Sequence, residues 1–190
     1  MNSQHFVIAG GAIGLLAFLM KADPTTATAA PSVTPKGLTI TEAEALGYVM
    51  GNKLAYPALL GPLPESVVMA TIAVESNFDP NATAPAGEVG LMQVIFPRTW
   101  DDVLKRARLP FNLQPFDVKD NILVGMAYLR LVKDEFSKAG MLTGNDAQDW
   151  ALIDQGYNIG PGGVKVGKRS ATRRTRYLLA REKFQRAGLP

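Results

Sequence analysis

From Leu38 onward, apolar residues recur mostly at helical spacing. In residues 64–75, Val67, Val68, Ile72 and Val74 form an apolar stripe, and a single acid, Glu75, follows it. Asp79-Pro80 closes this segment, because a residue before proline disfavours the helical region. Upstream, Thr41-x-x-Glu44 is a capping box for a helix through about Ala55, with Leu46, Val49, Met50 and Leu54 as its expected apolar face. Pro57, Gly61, Pro62 and Pro64 predict a turn-rich connection. Residues 79–90 read as a loop, Leu91 to Phe96 as a short buried return, and Pro97 to Ala107 as a short helix with Thr99 as candidate cap. Asp117 is placed to cap a longer helix reaching about Ala139, with Ile122, Met126, Leu129, Val132 and Phe136 on one face and Gly140 as its stop. A further helix, about Ala147 to Asn158, carries Trp150, Ile153 and Tyr157 on one side, and Gly160-Pro161-Gly162-Gly163 ends it. The last helix runs from about Thr172 to Ala187. No segment alternates convincingly with period two, so the expected fold is all-α, or α with minimal β.

The two ends differ from this middle. Residues 6–20 carry no charge. With Met1 to His5, about 20 residues precede Lys21, and at ~1.5 Å per residue they just span a ~30 Å bilayer core. Residues 1–21 therefore read as a transmembrane anchor or signal segment, with a buried core helix as the alternative. Lys21 and Asp23 nearly cancel, so charge does not set an orientation. Residues 22–37, rich in Pro, Thr and Ala, read as a linker. Residues 38–190 form the expected domain. Residues 165–186 hold nine Lys or Arg and one acid, Glu182, so a net charge of only +3 conceals a basic end on an otherwise acidic chain. Lys165, Lys168, Arg169, Arg173, Arg174 and Arg176 could hold acidic groups or an anionic membrane surface. The aromatics there, Tyr177 and Phe184, fit core positions of an amphipathic helix and speak against nucleic acid.

Composition narrows the chemistry. There is no cysteine, and the one histidine, His5, lies in the apolar N-terminal stretch. Thiolate nucleophiles, Ser–His and Cys–His pairs and most zinc chemistry drop out, and no cofactor or metal is expected. What remains is carboxylate, tyrosine or lysine chemistry. A carboxyl at a helix C-terminus beside apolar surface faces the negative end of the helix dipole and poor solvation, and both favour its protonated form. Such an acid can protonate a leaving group near neutral pH.

Three signatures stand in order: Glu75-Ser76, Gly90-Leu91-Met92-Gln93 and Tyr157-Asn158. Asn77-Phe78-Asp79-Pro80-Asn81-Ala82 and Pro97-x-Thr99-Trp100 accompany them. Together they resemble the lytic transglycosylase (SLT-type) domain of the lysozyme-like superfamily, over roughly residues 64–165. The resemblance implies a helical domain with a cleft that cleaves the MurNAc-β-1,4-GlcNAc bond of peptidoglycan and forms 1,6-anhydro-MurNAc. It implies Glu75 as the catalytic residue and Ser76, Met92, Gln93, Ile95, Tyr157 and Asn158 as substrate-binding residues. Ser76 would hold the acid or the sugar, Gln93 would give and accept hydrogen bonds at an acetamido group, and the Tyr157 hydroxyl would face Glu75 across the cleft. Leu91 and Met92 would pack beneath the acid. The chain departs from the family pattern at Gln155-Gly156, where two alanines are usual, and at Ser170-Ala171-Thr172-Arg173, where a Pro-Glu-Thr start to the last helix is usual. Glu88 is a candidate second carboxylate and supports a lysozyme-type hydrolase as the alternative. A catalytically silent component of a virion or secretion machine is the third reading. The expected setting is a membrane-anchored domain acting in the periplasm or cell wall, with glycan strands, the membrane and virion or secretion-complex proteins as partners.

Overall fold

The computed structural model describes residues 40–190; the segments read as anchor and linker, residues 1–21 and 22–37, lie outside the described residues. Among the described residues, no helix is long and apolar enough to cross a membrane.

The described chain runs α1 (Glu42–Ala55), α2 (Pro57–Leu60), α3 (Glu65–Glu75), β1 (Glu88–Val89), β2 (Val94–Ile95), α4 (Arg98–Ala107), α5 (Val118–Lys138), α6 (Asp146–Ile159), α7 (Pro161–Lys165) and α8 (Ala171–Arg186). It is a helical domain with one two-residue hairpin. The hairpin pairs Glu88 with Ile95 and Val89 with Val94, antiparallel. Strands this short leave no alternating pattern, which is why the sequence reads there as loop and buried return.

α3 is the central element. Every residue from Ser66 to Ile72 is buried, so it is apolar nearly all round, as a helix enclosed by its neighbours must be. Both α1 and α8 pack against it, while α5 contacts α1, α4 and α6. The helix ends earlier than Asp79-Pro80 suggests. Ser76 caps it through its N–H to the Ile72 carbonyl, and Asn77 and Phe78 both turn into the left-handed region, at φ 50° and 64°. Glu75 is thus the final helical residue, at the carbonyl-rich end.

Other boundaries follow the expected chemistry. The Thr41–Glu44 capping box is complete, and the Asp117 side chain accepts the Asp120 N–H at the start of α5. The five apolar residues predicted for one face of α5 are all buried. In α4 the cap position falls to Pro97, and Thr99 makes no cap bond.

The apolar face of α1 differs from expectation. Met50 and Leu54 are 51% and 82% exposed, and the buried residues are Ala45, Val49 and Asn52. The spacing 45, 49, 52 also defines a helix face, rotated from the stripe that the larger side chains suggest. The buried Asn52 ties α1 to the start of α5, its amide donating to the Lys119 carbonyl at 3.0 Å.

Gly156 has a packing reason. A Cβ there would lie 2.6 Å from Phe136 Cζ and 2.7 Å from Val132 Cγ1. The glycine weakens α6 slightly as a helix and lets α5 and α6 approach closely in return.

Candidate active site

Glu75 opens onto a cleft of about 180 Å³. α3 supplies the acid. The hairpin supplies Glu88, Gln93 and Ile95, α4 supplies Arg98 and Thr99, α5 supplies Tyr128, and the end of α6 supplies Tyr157 and Asn158. A larger cavity of about 470 Å³ lies between α6 and the start of α8. The one carboxylate lining it, Asp149, is held by Thr143 and Gly144. Chemistry rather than size therefore locates the site at Glu75.

The Glu75 side chain is 13% exposed. Burial pushes its carboxyl above the ordinary glutamate range, and Asp154 and Glu88 push the same way. Arg173 opposes them: its Nη2 donates to Glu75 Oε1 at 2.8 Å. The same guanidinium grips Asp154 with two bonds, Nη2 to Oδ1 at 2.7 Å and Nε to Oδ2 at 2.9 Å. Its Nη1 reaches Asn158 Oδ1 at 3.4 Å. Asp154 is fully buried on α6, and burial raises its carboxyl as well, against the pull of Arg173. Burial alone would disfavour the charge on Arg173, but the two carboxylates more than offset it and keep the guanidinium firmly protonated.

This cluster corrects the reading of the basic end. Arg173 is no surface cation; it is 9% exposed and built into the site. Lys165 pairs with Glu135, Lys183 with Glu42, and Arg186 with Glu182. Arg176 donates to the Val74 carbonyl at 3.2 Å. Part of the apparent positive charge is thus matched by neighbouring acids, mostly in pairs at the surface.

The hairpin loop is shaped by Asn121, a buried residue of α5. Its Oδ1 accepts the Met92 N–H at 2.8 Å, and its Nδ2 donates to Val89 and Pro115 carbonyls at 3.0 and 2.7 Å. Gly90, at φ 72°, admits this side chain; a Cβ there would lie 2.3 Å from Asn121 Nδ2 and 2.9 Å from the Pro115 carbonyl. The turn places Gln93 at the cleft with φ 47°, a conformation that costs a non-glycine residue about 1 kcal/mol or more.

Several expected site residues take narrower parts than the resemblance implies. The Gln93 amide donates to the Ala82 and Gly90 carbonyls at 2.9 and 2.8 Å. Its donor capacity is therefore spent on the loop, and its carbonyl oxygen is what it offers the cleft. Tyr157 shares the cleft with Glu75, but its hydroxyl bond goes elsewhere: it donates to the Met92 carbonyl at 2.6 Å. Burial holds that phenol well above its ordinary range, so it serves as a neutral tie between α6 and the hairpin loop. Tyr128 packs against it with the rings tilted by 44° at a 4.9 Å centroid separation, and is itself raised by burial to about 12. Met92 is fully buried, so its side chain is floor and not contact surface. The Ser76 hydroxyl donates to the Ile72 carbonyl at 3.2 Å, turned back along its own helix. Ile95 and Asn158 do line the cleft.

Comparison with known proteins gives the following likenesses. The chain is 34% identical over 105 residues to the membrane-bound lytic murein transglycosylase C of Mannheimia succiniciproducens, covering 54% of this chain and 29% of that protein. It is 31% identical over 105 residues to its namesake in Photorhabdus laumondii, with the same coverage. The chain thus spans less than a third of the length of these relatives. Among solved structures, the 70 kDa soluble lytic transglycosylase of Escherichia coli aligns over 74% of this chain and 27% of its own, at 22% identity and a TM-score of 0.44. The family model of the transglycosylase SLT domain matches residues 59–179, a span holding Glu75, the hairpin, Tyr157, Asp154 and Arg173, and the chain belongs to that family.

Proposed function

We propose that this domain cleaves the MurNAc-β-1,4-GlcNAc bond of peptidoglycan as a lytic transglycosylase, with Glu75 as its acid and then its base. The observation that carries the reading is a carboxyl raised by burial at the edge of a cleft, with a guanidinium on one oxygen. Protonated Glu75 gives its proton to the glycosidic oxygen as the C1–O bond breaks. The resulting carboxylate takes the proton of the muramic C6 hydroxyl, whose oxygen closes on C1. No water is consumed, and the acid is regenerated. Arg173 stabilises the carboxylate formed between the two steps, as a fixed positive charge at the place where negative charge develops. The Gln93 carbonyl oxygen and Asn158 are placed to accept or orient sugar amide and hydroxyl groups.

Residues 1–21 would tether the domain to a membrane, and residues 22–37 would give it reach to the wall. That similar proteins are membrane-bound lytic murein transglycosylases supports that setting. Purified full-length protein should reduce the turbidity of a peptidoglycan suspension; a suspension that stays turbid contradicts the proposal.

Glu88 supports a second reading, hydrolysis, because it shares the cleft with Glu75. Its Oε2 accepts the Ala86 N–H at 3.0 Å, which ties it to its own loop. Glu88→Gln should keep peptidoglycan cleavage within about tenfold of wild type, whereas loss of a true general base costs about 10²–10⁴-fold. A loss of that larger size would favour hydrolysis.

A further inference from the structure

Glu75 presents a conflict. A proton donor must carry its proton, yet a carboxylate held by a buried guanidinium is normally ionised. Two carboxylates share one cation here. Asp154 takes two of its N–H groups and Glu75 takes one. Asp154 is fully buried, while Glu75 stands at the cleft. With both carboxylates ionised the cluster is net −1; with one proton added it is neutral. The proton belongs on the partner with fewer bonds and better access, which is Glu75.

We propose that Asp154 is a positioning residue acting through Arg173: its charge keeps the guanidinium neutralised, so that Glu75 can hold a proton without leaving a buried cation unpaired. Without Asp154, Arg173 and Glu75 would form a one-to-one pair, and protonating Glu75 would strand the cation, at the desolvation cost that any unpaired buried charge carries. The inference rests on Glu75 as the proton donor, but it concerns protonation and not turnover.

The other groups around the cluster do not perform this service. Glu88, on β1, faces Glu75 from the hairpin side and adds repulsion. Tyr157 on α6 and Tyr177 on α8 face the cluster as phenols raised by burial, hence neutral. Arg98 on α4 lines the cleft but makes no ion pair with Glu75. Asp154 is the one buried counter-charge bonded to Arg173 besides Glu75 among the described residues.

The test is a carbon-13 NMR titration of full-length protein labelled in its glutamate and aspartate carboxyls, with the Glu75 and Asp154 signals assigned by E75Q and D154N. In wild type, Asp154 should remain ionised where Glu75 titrates; the reverse order would overturn the proposal without any variant having to be titrated. In D154N the Glu75 midpoint should fall by about one pH unit or more, the size expected for an uncompensated neighbouring cation. In the double variant D154N/R173M the midpoint should rise above wild type, because burial is then unopposed. A purely structural role for Asp154 predicts no ordered movement of this kind. An unchanged or raised midpoint in D154N contradicts the proposal. Activity should move in the same sense. The alkaline limb of the rate profile, where the acid loses its proton, should shift to lower pH in D154N. If the titration behaves as stated and peptidoglycan is not cleaved, the functional reading fails while the coupling stands.

Discussion

Glu75→Gln should lower peptidoglycan cleavage by roughly 10³-fold or more while leaving the fold in place. The substitution is isosteric, and a glutamine carbonyl can still accept from Arg173 Nη2, which donates to Glu75 Oε1 at 2.8 Å. Arg173 also keeps Asp154 as counter-ion, so no buried charge is stranded. What disappears is the proton. An amide neither donates to the leaving oxygen as an acid nor accepts from the C6 hydroxyl as a base, and no histidine or cysteine stands in the described domain to replace it. Clearing of peptidoglycan in a gel by wild type and variant, with matched circular dichroism spectra, checks this. Equal clearing would remove Glu75 from the chemistry.

The second large effect is on stability. Asn121→Ala should destabilise the domain by about 3 kcal/mol, because three backbone groups lose their partner at once and stay buried. Met92 N–H, the Val89 carbonyl and the Pro115 carbonyl all depend on this one side chain. Gly90→Ala should cost a similar amount, since it combines a left-handed backbone with a Cβ placed 2.3 Å from Asn121 Nδ2. The two effects should not add. With Asn121 truncated the worst overlap is gone, so Gly90→Ala should cost less in the Asn121→Ala background than in wild type. Urea unfolding of the four proteins measures the cycle, and strict additivity would show that the two residues do not form one lock. The lock matters for function because it sets the turn that carries Gln93 to the cleft.

Much of this domain is legible along the chain because its signals are local. Thr41 and Asp117 announce helix starts through bonds made within three residues, and the α5 stripe is a simple repeat on one helix. α1 misleads because its larger apolar residues, Met50 and Leu54, lie off the face that packs, whereas the buried face holds Ala45 and Asn52. The hairpin is too short for any period to show. At the site, Glu75 is legible as an acid closing an apolar helix. Its partner is not, because Arg173 lies 98 residues further on inside a run of bases that reads as a site for acidic groups or an anionic membrane surface.

One signal was present in the pattern of α6. Asp154 follows Trp150 by four positions and precedes Tyr157 by three, so it falls on the face that those aromatics bury. A charge on a buried face demands a partner. Arg173 likewise precedes the buried Tyr177 by four positions on α8. A base and an acid, each on the core side of its own helix, point to a pair. That the pair also reaches Glu75 depends on how α3, α6 and α8 meet, and no single segment carries that information. The Gln93 amide is a similar case. Its donors are consumed by the Ala82 and Gly90 carbonyls, a result of loop closure and not of residue type.

The most direct measurement is mass spectrometry of the products formed by the full-length protein from peptidoglycan in oxygen-18 water. A single carboxyl working with the sugar's own hydroxyl predicts muropeptides that end in 1,6-anhydro-MurNAc, lighter by one water than reducing sugars and free of the heavy isotope. Reducing ends carrying oxygen-18 would show that water attacks the anomeric carbon and would contradict the mechanism.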